Sequence, residues 1–242
     1  MPSSTIDQSQ FDSIPDSIEA FRMFSPLQFP QPFLDFLVVL DDPSRENEAD
    51  LIIAADSVTT EQMAWMVRHS SGLICAPITH ARADALDLPP MVQHSQDPRG
   101  TAYTISVDAA DPSVTTGISA HDRALVCRVL ADPASTAASL RRPGHVLPLR
   151  AAPGGIRARN GHTEAATEFC RLAGKAEAGV ICEIVDDGEE VPGQAIRNEP
   201  GMLRGEACID FARKWGLKVC TIADLVAYVE KTEGKLAANG SN

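Results

Sequence analysis

The amino-acid sequence predicts one α/β domain, of the α+β type, in which short strands alternate with helices. Three observations support this prediction. Short apolar runs alternate with longer segments whose apolar side chains recur at helical spacing. A length of 242 residues with 44% hydrophobic content is enough for one sizeable core. The sequence shows no internal repeat and no apolar run long enough for a membrane-spanning helix.

The charge of the chain limits its partners. The formal net charge is -12, the sequence pI is about 4.9, and basic residues form no cluster. This argues against a surface for nucleic acid or for an anionic membrane. The six cysteines form no CxxC pair and most lie in apolar segments, as is typical of reduced core thiols. We therefore expect a cytoplasmic protein with neither a nucleic-acid nor a membrane partner.

The ends of the chain are polar. We expect residues 1–15 to form a flexible arm, residues 16–231 to form the single domain, and residues 232–242 to form a disordered tail. A short helix is predicted at residues 16–24, and the three prolines within residues 26–32 must end it.

The most highly charged stretch, residues 41–50, lies between apolar runs at residues 36–40 and 51–55, each typical of a buried strand. It carries five acidic residues and one basic residue, namely Asp41, Asp42, Glu46, Glu48, Asp50 and Arg45. Such crowding costs free energy unless the carboxylates stay in water, take up protons or share a cation. A solvated hairpin tip and a hydrated Mg²⁺ site both remain open. In an extended chain, Arg45 would face away from Glu46, Glu48 and Asp50, toward an anionic substrate.

The next elements follow from local signals. Thr59 and Gln62 form a capping box at the start of a helix, and residues 73–78 form a strand that contains Cys75. We interpret Cys75 as core packing, with a place near substrate as the alternative. Residues 88–100 are predicted to be mostly exposed loop, and residues 103–107 alternate like a half-buried strand.

Residues 115–119 precede a helix that runs to residue 130. This turn could hold an anion, but ordinary capping by Ser119 explains it equally well. Farther on, His145 follows Gly144, where an imidazole could act as an acid or a base, although a structural loop is the commoner explanation.

The last chemically informative segments are residues 159–164 and 180–185. Arg159 and Thr163, at the start of a helix that runs to residue 172, form a plausible phosphate cradle. His162 lies at its edge, where a neutral imidazole could bind a metal. Glu183 lies in an apolar strand, so it either needs a partner and suits proton transfer, or faces water on an edge strand. Helices at residues 206–215 and 224–231 flank a strand at residues 218–221.

Six motifs occur in order along residues 18–228. They are Asp41-Asp42-x-x-Arg45-Glu46-Asn47-Glu48-x-Asp50, Arg68-His69-x-Ser71-Gly72, Thr115-Thr116-Gly117-x-Ser119, Arg142-Pro143-Gly144-His145, Gly161-His162-Thr163-Glu164 and Gly179-Val180-Ile181-Cys182-Glu183. In this arrangement the chain resembles the 3,4-dihydroxy-2-butanone 4-phosphate synthase family of riboflavin biosynthesis. It departs from the family pattern in the prolines of residues 26–32, in Pro43 and in Asn160.

The resemblance implies a three-layer α/β/α sandwich around a mixed central sheet, a single catalytic domain and a homodimer. The implied reaction is that of a lyase, which converts D-ribulose 5-phosphate to L-3,4-dihydroxy-2-butanone 4-phosphate and formate. It would proceed through a Mg²⁺-stabilised enediolate and a skeletal rearrangement, with Mn²⁺ able to substitute.

The resemblance also assigns residues. The metal ligands fall on Glu46 and His162, and the catalytic groups on His145 and Glu183. The substrate-binding set comprises Arg45, Glu46, Asp50, Arg159, Asn160, Gly161, His162, Thr163 and Glu183. We further expect each active site to combine Glu46 of one subunit with His145 of the other. The alternatives are another metal-dependent sugar-phosphate isomerase or aldolase, and a non-catalytic cation-binding module.

Overall fold

The computed structural model describes residues 6–22 and 35–236. The predictions for residues 1–5, for the prolines of residues 26–32 and for residues 237–242 lie outside this part of the chain. The strands are β1 (Leu37–Leu40), β2 (Ala49–Ala54), β3 (Cys75–Ile78), β4 (Val107–Ala109), β5 (Leu140–Arg150), β6 (Gly179–Glu183), β7 (Val185–Asp186), β8 (Gly201–Met202) and β9 (Lys218–Thr221). The α-helices are α1 (Ile14–Arg22), α2 (Thr60–Arg68), α3 (His80–Ala85), α4 (Ala120–Ala131), α5 (His162–Leu172), α6 (Glu206–Trp215) and α7 (Ile222–Glu233).

Seven strands form a mixed sheet in the order β4-β5-β3-β6-β2-β1-β9. Strand β1 pairs antiparallel with β2 and parallel with β9, so the acidic stretch is the loop of a β1–β2 hairpin. β7 and β8 form a separate two-stranded sheet. The predicted mixed central sheet is thereby confirmed.

Alternate residues of the sheet enter two hydrophobic cores, one on each face. Val38 and Leu51 pack with the side chains of α2, α4 and α6 on one face, whereas Leu37 and Ile52 pack with α1, α5 and α7 on the other. Strands that are covered on both faces need apolar residues at every position, which explains the continuous apolar runs. The three-layer α/β/α sandwich predicted from the sequence is confirmed.

The polar segment before α1 contacts the sheet. Asp12 accepts hydrogen bonds from Arg213 Nη1 at 2.7 Å, Lys218 Nζ at 2.8 Å and the Val219 N–H at 3.0 Å. Helix α1 begins at Ile14, two residues before the predicted start. Asp12 therefore ties the segment before α1 to β9 and α6. The flexible arm at residues 1–15 and the domain division stay predictions.

Two predicted elements differ in the structure. Residues 103–106 form only isolated bridges, and strand β4 begins at Val107. The segment expected to be a loop around His145 instead lies within the eleven-residue strand β5. The pairing of β5 with β4 is interrupted between Arg141 and Val146. Pro143, which has no backbone N–H, therefore does not have to donate a hydrogen bond to β4. A Cβ on Gly144 would lie 1.9 Å from the Val107 carbonyl carbon, so only glycine fits there.

The local helix signals are confirmed. Thr59 and Gln62 form the capping box of α2, and Ser119 caps α4 by accepting the Asp122 N–H. Among residues 6–22 and 35–236, no helix combines the length and the apolarity that a membrane span requires.

Candidate active site

One cavity of about 180 Å³ lies where the β1–β2 loop, the end of β6 and the start of α5 meet. Seven of the predicted substrate-binding residues line it, namely Arg45, Glu46, Asp50, Arg159, His162, Thr163 and Glu183. Asn160 and Gly161 are absent from its lining. The structure therefore brings together residues that are separated by more than 100 positions in the sequence.

Two carboxylates face each other inside the sheet. Asp50 of β2 is paired directly with Glu183 of β6, so both side chains lie on the same face. Strand β6 lies between β3 and β2, which excludes the edge-strand explanation for Glu183. Asp50 is 2% exposed, and its Oδ1 has no hydrogen-bond partner within the described residues. Burial and then the charges of Glu183, Glu46 and Asp41 raise the pKa of Asp50 well above its usual range. Like charges directly opposite each other destabilise a sheet, which marks this pair as a functional candidate.

His162 is held as a neutral imidazole. It is the first residue of α5 and is buried, with Nε2 2.9 Å from the Val39 carbonyl oxygen. A carbonyl oxygen only accepts, so Nε2 carries the proton and the Nδ1 lone pair points toward Asp50 Oδ1, 3.5 Å away. The pKa of His162 is lowered to about 4, chiefly by burial and also by the charges of Arg45 and Arg159, against the opposing effects of Asp41 and the bond to the Val39 carbonyl. An oriented neutral imidazole is the form that binds metals.

The acidic loop is organised around Arg45. Its Nη1 donates to Asp41 Oδ2 at 2.7 Å and to Glu46 Oε2 at 2.5 Å. The loop turns through Asn47 at φ 55°, so the chain is not extended here, and Arg45 lines the same cavity as Glu46. The expected separation of Arg45 from the carboxylates is therefore wrong. Burial of the Glu46 carboxylate raises its pKa, although Arg45 opposes this.

Glu46 and His162 suit a magnesium ion with few protein ligands. Within the described part of the chain, no three His, Cys, Asp or Glu side chains meet as a ready-made metal site. Mg²⁺ commonly keeps several waters and uses one or two protein groups together with substrate oxygens. The Nδ1 lone pair of His162 and the unpartnered Oδ1 of Asp50 both gain from a nearby cation. The residues present therefore fit the cation that the resemblance implies.

Arg159 and the start of helix α5 lie together at one corner of the cavity. Arg159 Nη1 donates to Glu164 Oε2 at 2.5 Å, and the buried Glu164 also accepts the Ala152 N–H at 2.9 Å. The N-cap residue of α5 is Gly161, which has no side chain with which to cap the first-turn N–H groups. A Cβ on Gly161 would lie 2.4 Å from Arg159 Nη1, so Gly161 makes room for the guanidinium although it does not line the cavity.

His145 lies apart from this cavity in its own chain. Its N–H and Nδ1 both bond to the Asp108 carboxylate at 2.9 Å. Leu149, the residue of β5 that lines the cavity, is four positions farther along, a distance of about 13 Å in an extended strand. Within one chain, the structure does not bring His145 together with Glu183.

The turn at residues 115–119 supports the Asp108–His145 pair. Asp122 Oδ2 accepts the N–H groups of Thr115 and Gly117, at 3.2 Å and 3.0 Å, so the chain's own carboxylate occupies the predicted anion position. Gly117 has φ 84°, and a Cβ there would lie 2.2 Å from Asp108 Oδ2 and 2.4 Å from His145 Nδ1. Glycine is therefore needed for both conformation and space.

Several lining residues were not predicted to be functional, namely Glu48, Asp97, Arg99, Thr101, Tyr103, Leu149 and Ile181. Glu48 belongs to the acidic stretch and to the first family motif. Most of the others lie in the segment expected to be exposed loop or in the apolar strands, where only the charged Asp97-x-Arg99 pattern offered a sequence signal. Cys75 also lines the cavity, and burial raises the pKa of its thiol, as expected for an unreactive group. Burial likewise raises the pKa of Tyr103 to about 12.

The three-layer fold and this cavity define an α/β site suited to a small anionic substrate and a divalent cation. A profile of the 3,4-dihydroxy-2-butanone 4-phosphate synthase family matches residues 35–228. A 3,4-dihydroxy-2-butanone 4-phosphate synthase from Pyricularia oryzae is 67% identical over all 242 residues and the whole of that protein. One from Schizosaccharomyces pombe is 51% identical, covering 81% of this chain and 91% of its own length.

Solved structures agree with the sequence relatives. A 3,4-dihydroxy-2-butanone 4-phosphate synthase in complex with two magnesium ions has a TM-score of 0.87 and 68% identity, covering 93% of this chain and all of its own. A cation-free form of such a synthase has a TM-score of 0.83 and 66% identity, with the same coverage. The chain belongs to the 3,4-dihydroxy-2-butanone 4-phosphate synthase family, which confirms the resemblance found in the sequence.

Proposed function

We propose that this chain is a lyase that converts D-ribulose 5-phosphate to L-3,4-dihydroxy-2-butanone 4-phosphate and formate, with Mg²⁺ as cofactor. The atoms of the pentulose phosphate are divided between the two products, so the reaction needs no oxidant or reductant. Replacement of Mg²⁺ by Mn²⁺ and a cytoplasmic location remain part of this proposal.

The convergence of Asp50, Glu183 and His162 is the observation that carries the proposal. Two facing carboxylates and a neutral imidazole at one end of a sheet are costly for stability, since none neutralises another. A polyhydroxylated substrate and a cation would supply the missing hydrogen bonds and charge. Family membership and the magnesium complex of a relative support the same conclusion.

The residues of the chain have distinct roles in this proposal. Arg159, already aimed by Glu164, and the first turn of α5 with Thr163 would bind the phosphate. Glu46 and His162 Nδ1 would hold the cation, which supplies stabilisation of negative charge on substrate oxygens. Arg45 would then keep the acidic loop compact by neutralising Asp41 beside the substrate.

Proton transfers fall to Glu183, Asp50 and His145. Glu183 lies half-buried at the end of β6, with Ser71 Oγ 3.3 Å from its Oε2, where it can exchange a proton with substrate carbon or oxygen. Asp50 Oδ1, which has no hydrogen-bond partner among the described residues, can bond to a substrate hydroxyl. His145 can use its Nε2 lone pair, because the Asp108 carboxylate accepts from Nδ1 and thereby fixes the proton there.

We also propose a homodimer in which His145 completes the cavity of the partner subunit. The roughly 13 Å of strand between His145 and the cavity of its own chain supports this arrangement. The imidazole is 43% exposed although it is firmly held by Asp108, as expected of a group that serves a site outside its own chain.

The decisive experiment is proton NMR of D-ribulose 5-phosphate incubated with the protein and Mg²⁺. We expect one formate for each 3,4-dihydroxy-2-butanone 4-phosphate, loss of both in EDTA, and recovery when Mg²⁺ is restored. Conversion to another pentose phosphate, or cleavage without formate, would indicate an isomerase or aldolase. Cation binding with no turnover would indicate a non-catalytic module, and full turnover in EDTA would refute the metal requirement.

A further inference from the structure

A short turn, residues 97–101, lines the cavity and contacts the acidic loop. The Asp97 carboxylate accepts the N–H groups of Thr101 at 2.6 Å and Arg99 at 3.2 Å, and Gly100 follows with φ 67°. The resulting Asx turn fixes the backbone at the base of the Arg99 side chain. Arg99 lines the cavity and its side chain is 41% exposed, so the guanidinium has room to move.

The guanidinium of Arg99 contacts the acidic loop at two points. Its Nη2 donates to the Arg45 carbonyl oxygen, and its Nε lies 3.4 Å from Glu46 Oε1. The other oxygen of this carboxylate, Glu46 Oε2, accepts from Arg45 Nη1 at 2.5 Å. Both oxygens of Glu46 are therefore engaged by guanidinium groups.

The backbone of Arg99 contacts Arg159, which also lines the cavity. Its carbonyl oxygen accepts from Arg159 Nη2 at 3.2 Å and from Arg159 Nε at 3.4 Å. Arg159 also donates from Nη2 to Thr101 Oγ1 at 3.3 Å. Arg99 thus contacts both Glu46, the proposed cation ligand, and Arg159, the proposed phosphate-binding residue.

We propose that Arg99 is a positioning residue that competes with the divalent cation for Glu46 and couples cation binding to phosphate binding. This rests on the proposed function in one respect, namely Glu46 as a cation ligand. A cation at Glu46 meets the positive charge of Arg99 at close range, so cation affinity is reduced while Arg99 stays on Oε1.

A bound phosphate reverses this effect. A guanidinium binds phosphate with two parallel hydrogen bonds, and Arg99 lies beside Arg159, where the phosphate is expected. Phosphate therefore draws Arg99 away from Glu46 and frees the carboxylate for the cation. By thermodynamic reciprocity, the cation tightens phosphate binding by the same factor.

The test is a Mn²⁺ titration followed by electron paramagnetic resonance, with and without inorganic phosphate, on wild type and on Arg99→Ala. Loss of an ion pair of this exposed kind should tighten Mn²⁺ binding in phosphate-free buffer by about 1.4-fold to fivefold. Phosphate should tighten Mn²⁺ binding to wild type and have no such effect on Arg99→Ala. Arg99→Gln, which keeps a hydrogen-bond donor without the charge, should behave like Arg99→Ala.

Arg204→Ala is the matched control. Arg204 is also an exposed arginine paired with the acidic loop, but its Nη2 contacts Glu48 Oε1 at 2.8 Å and not Glu46. This variant loses the same charge and should retain phosphate-dependent Mn²⁺ binding. Equal Mn²⁺ affinity in Arg99→Ala and wild type, or coupling that survives in Arg99→Ala, would overturn the role of Arg99. Unchanged Mn²⁺ binding in Glu46→Gln would instead overturn the cation assignment itself, and with it this inference.

Discussion

Replacing Asp50 with asparagine should stabilise the folded protein while lowering its turnover. The Asp50 carboxylate is buried opposite Glu183, and its Oδ1 has no hydrogen-bond partner in the described part of the chain. An asparagine amide has nearly the same shape, carries no charge and could donate to His162 Nδ1, which lies 3.5 Å from the present Oδ1. An unsatisfied buried polar group costs about 1–3 kcal/mol, so the free energy of unfolding should rise by that amount.

The stabilisation produced by Asp50→Asn should increase with pH. The folded-state pKa of Asp50 is raised, so its contribution to stability is fully present below the unfolded pKa and is lost as pH rises through the folded value. The advantage of Asp50→Asn should therefore be small near pH 4 and should grow as pH rises from there. For a chain of this length, about 1–3 kcal/mol corresponds to a rise in Tm of about 2–12 °C.

The assay is thermal melting in EDTA between about pH 4.5 and pH 8.5, combined with the formate assay in Mg²⁺. Asp12→Asn serves as the control, because it should change the stability in the opposite direction. Burial alone would raise the pKa of Asp12, but hydrogen bonds from Lys218, the Val219 N–H and Arg213 outweigh it and lower the pKa. That variant should lose stability at high pH. A lower Tm for Asp50→Asn than for wild type at about pH 8 would refute the assignment of Asp50 as a destabilising, functional carboxylate.

Three further predictions concern turnover. Glu46→Gln and His145→Ala should each be inactive alone. Refolding the two variants together should recover about a quarter of wild-type activity, because about half of the dimers are mixed and each mixed dimer has one intact site of two. If native mass spectrometry shows heterodimers but no activity returns, both residues belong to the site of one subunit. Arg159→Ala should raise KM by about tenfold to a hundredfold, whereas Glu183→Gln should lower kcat by about 10²–10⁴ with little change in KM. A near-normal kcat for Glu183→Gln in steady-state kinetics would exclude this carboxylate from proton transfer. Gly117→Ala should cost about 1–3 kcal/mol and lower kcat, because its Cβ would displace the carboxylate that holds His145; an unchanged Tm and kcat would contradict this.

The sequence by itself determined the local elements and most members of the candidate site. Apolar runs and cap residues act over a few positions, so the β1–β2 hairpin, the capping box of α2 and the cap of α4 were predictable before any packing was known. The same holds for Glu46, His162 and Arg159, whose residue types restrict their chemistry wherever they lie. Family membership then agreed with the motifs.

Only the tertiary structure decided how these residues meet. The β2–β6 register, which no local pattern encodes, places Asp50 opposite Glu183, and Asp50 Oδ1 has no hydrogen-bond partner among the described residues. Gly144 beside His145 favoured a loop, but both residues lie in strand β5, which holds His145 away from the cavity of its own chain. Arg99 belongs to an apparently ordinary surface loop, and its position over Glu46 follows from contacts between segments more than 50 residues apart. Such long-range contacts depend on strand register and loop placement, which are set when the whole sheet assembles.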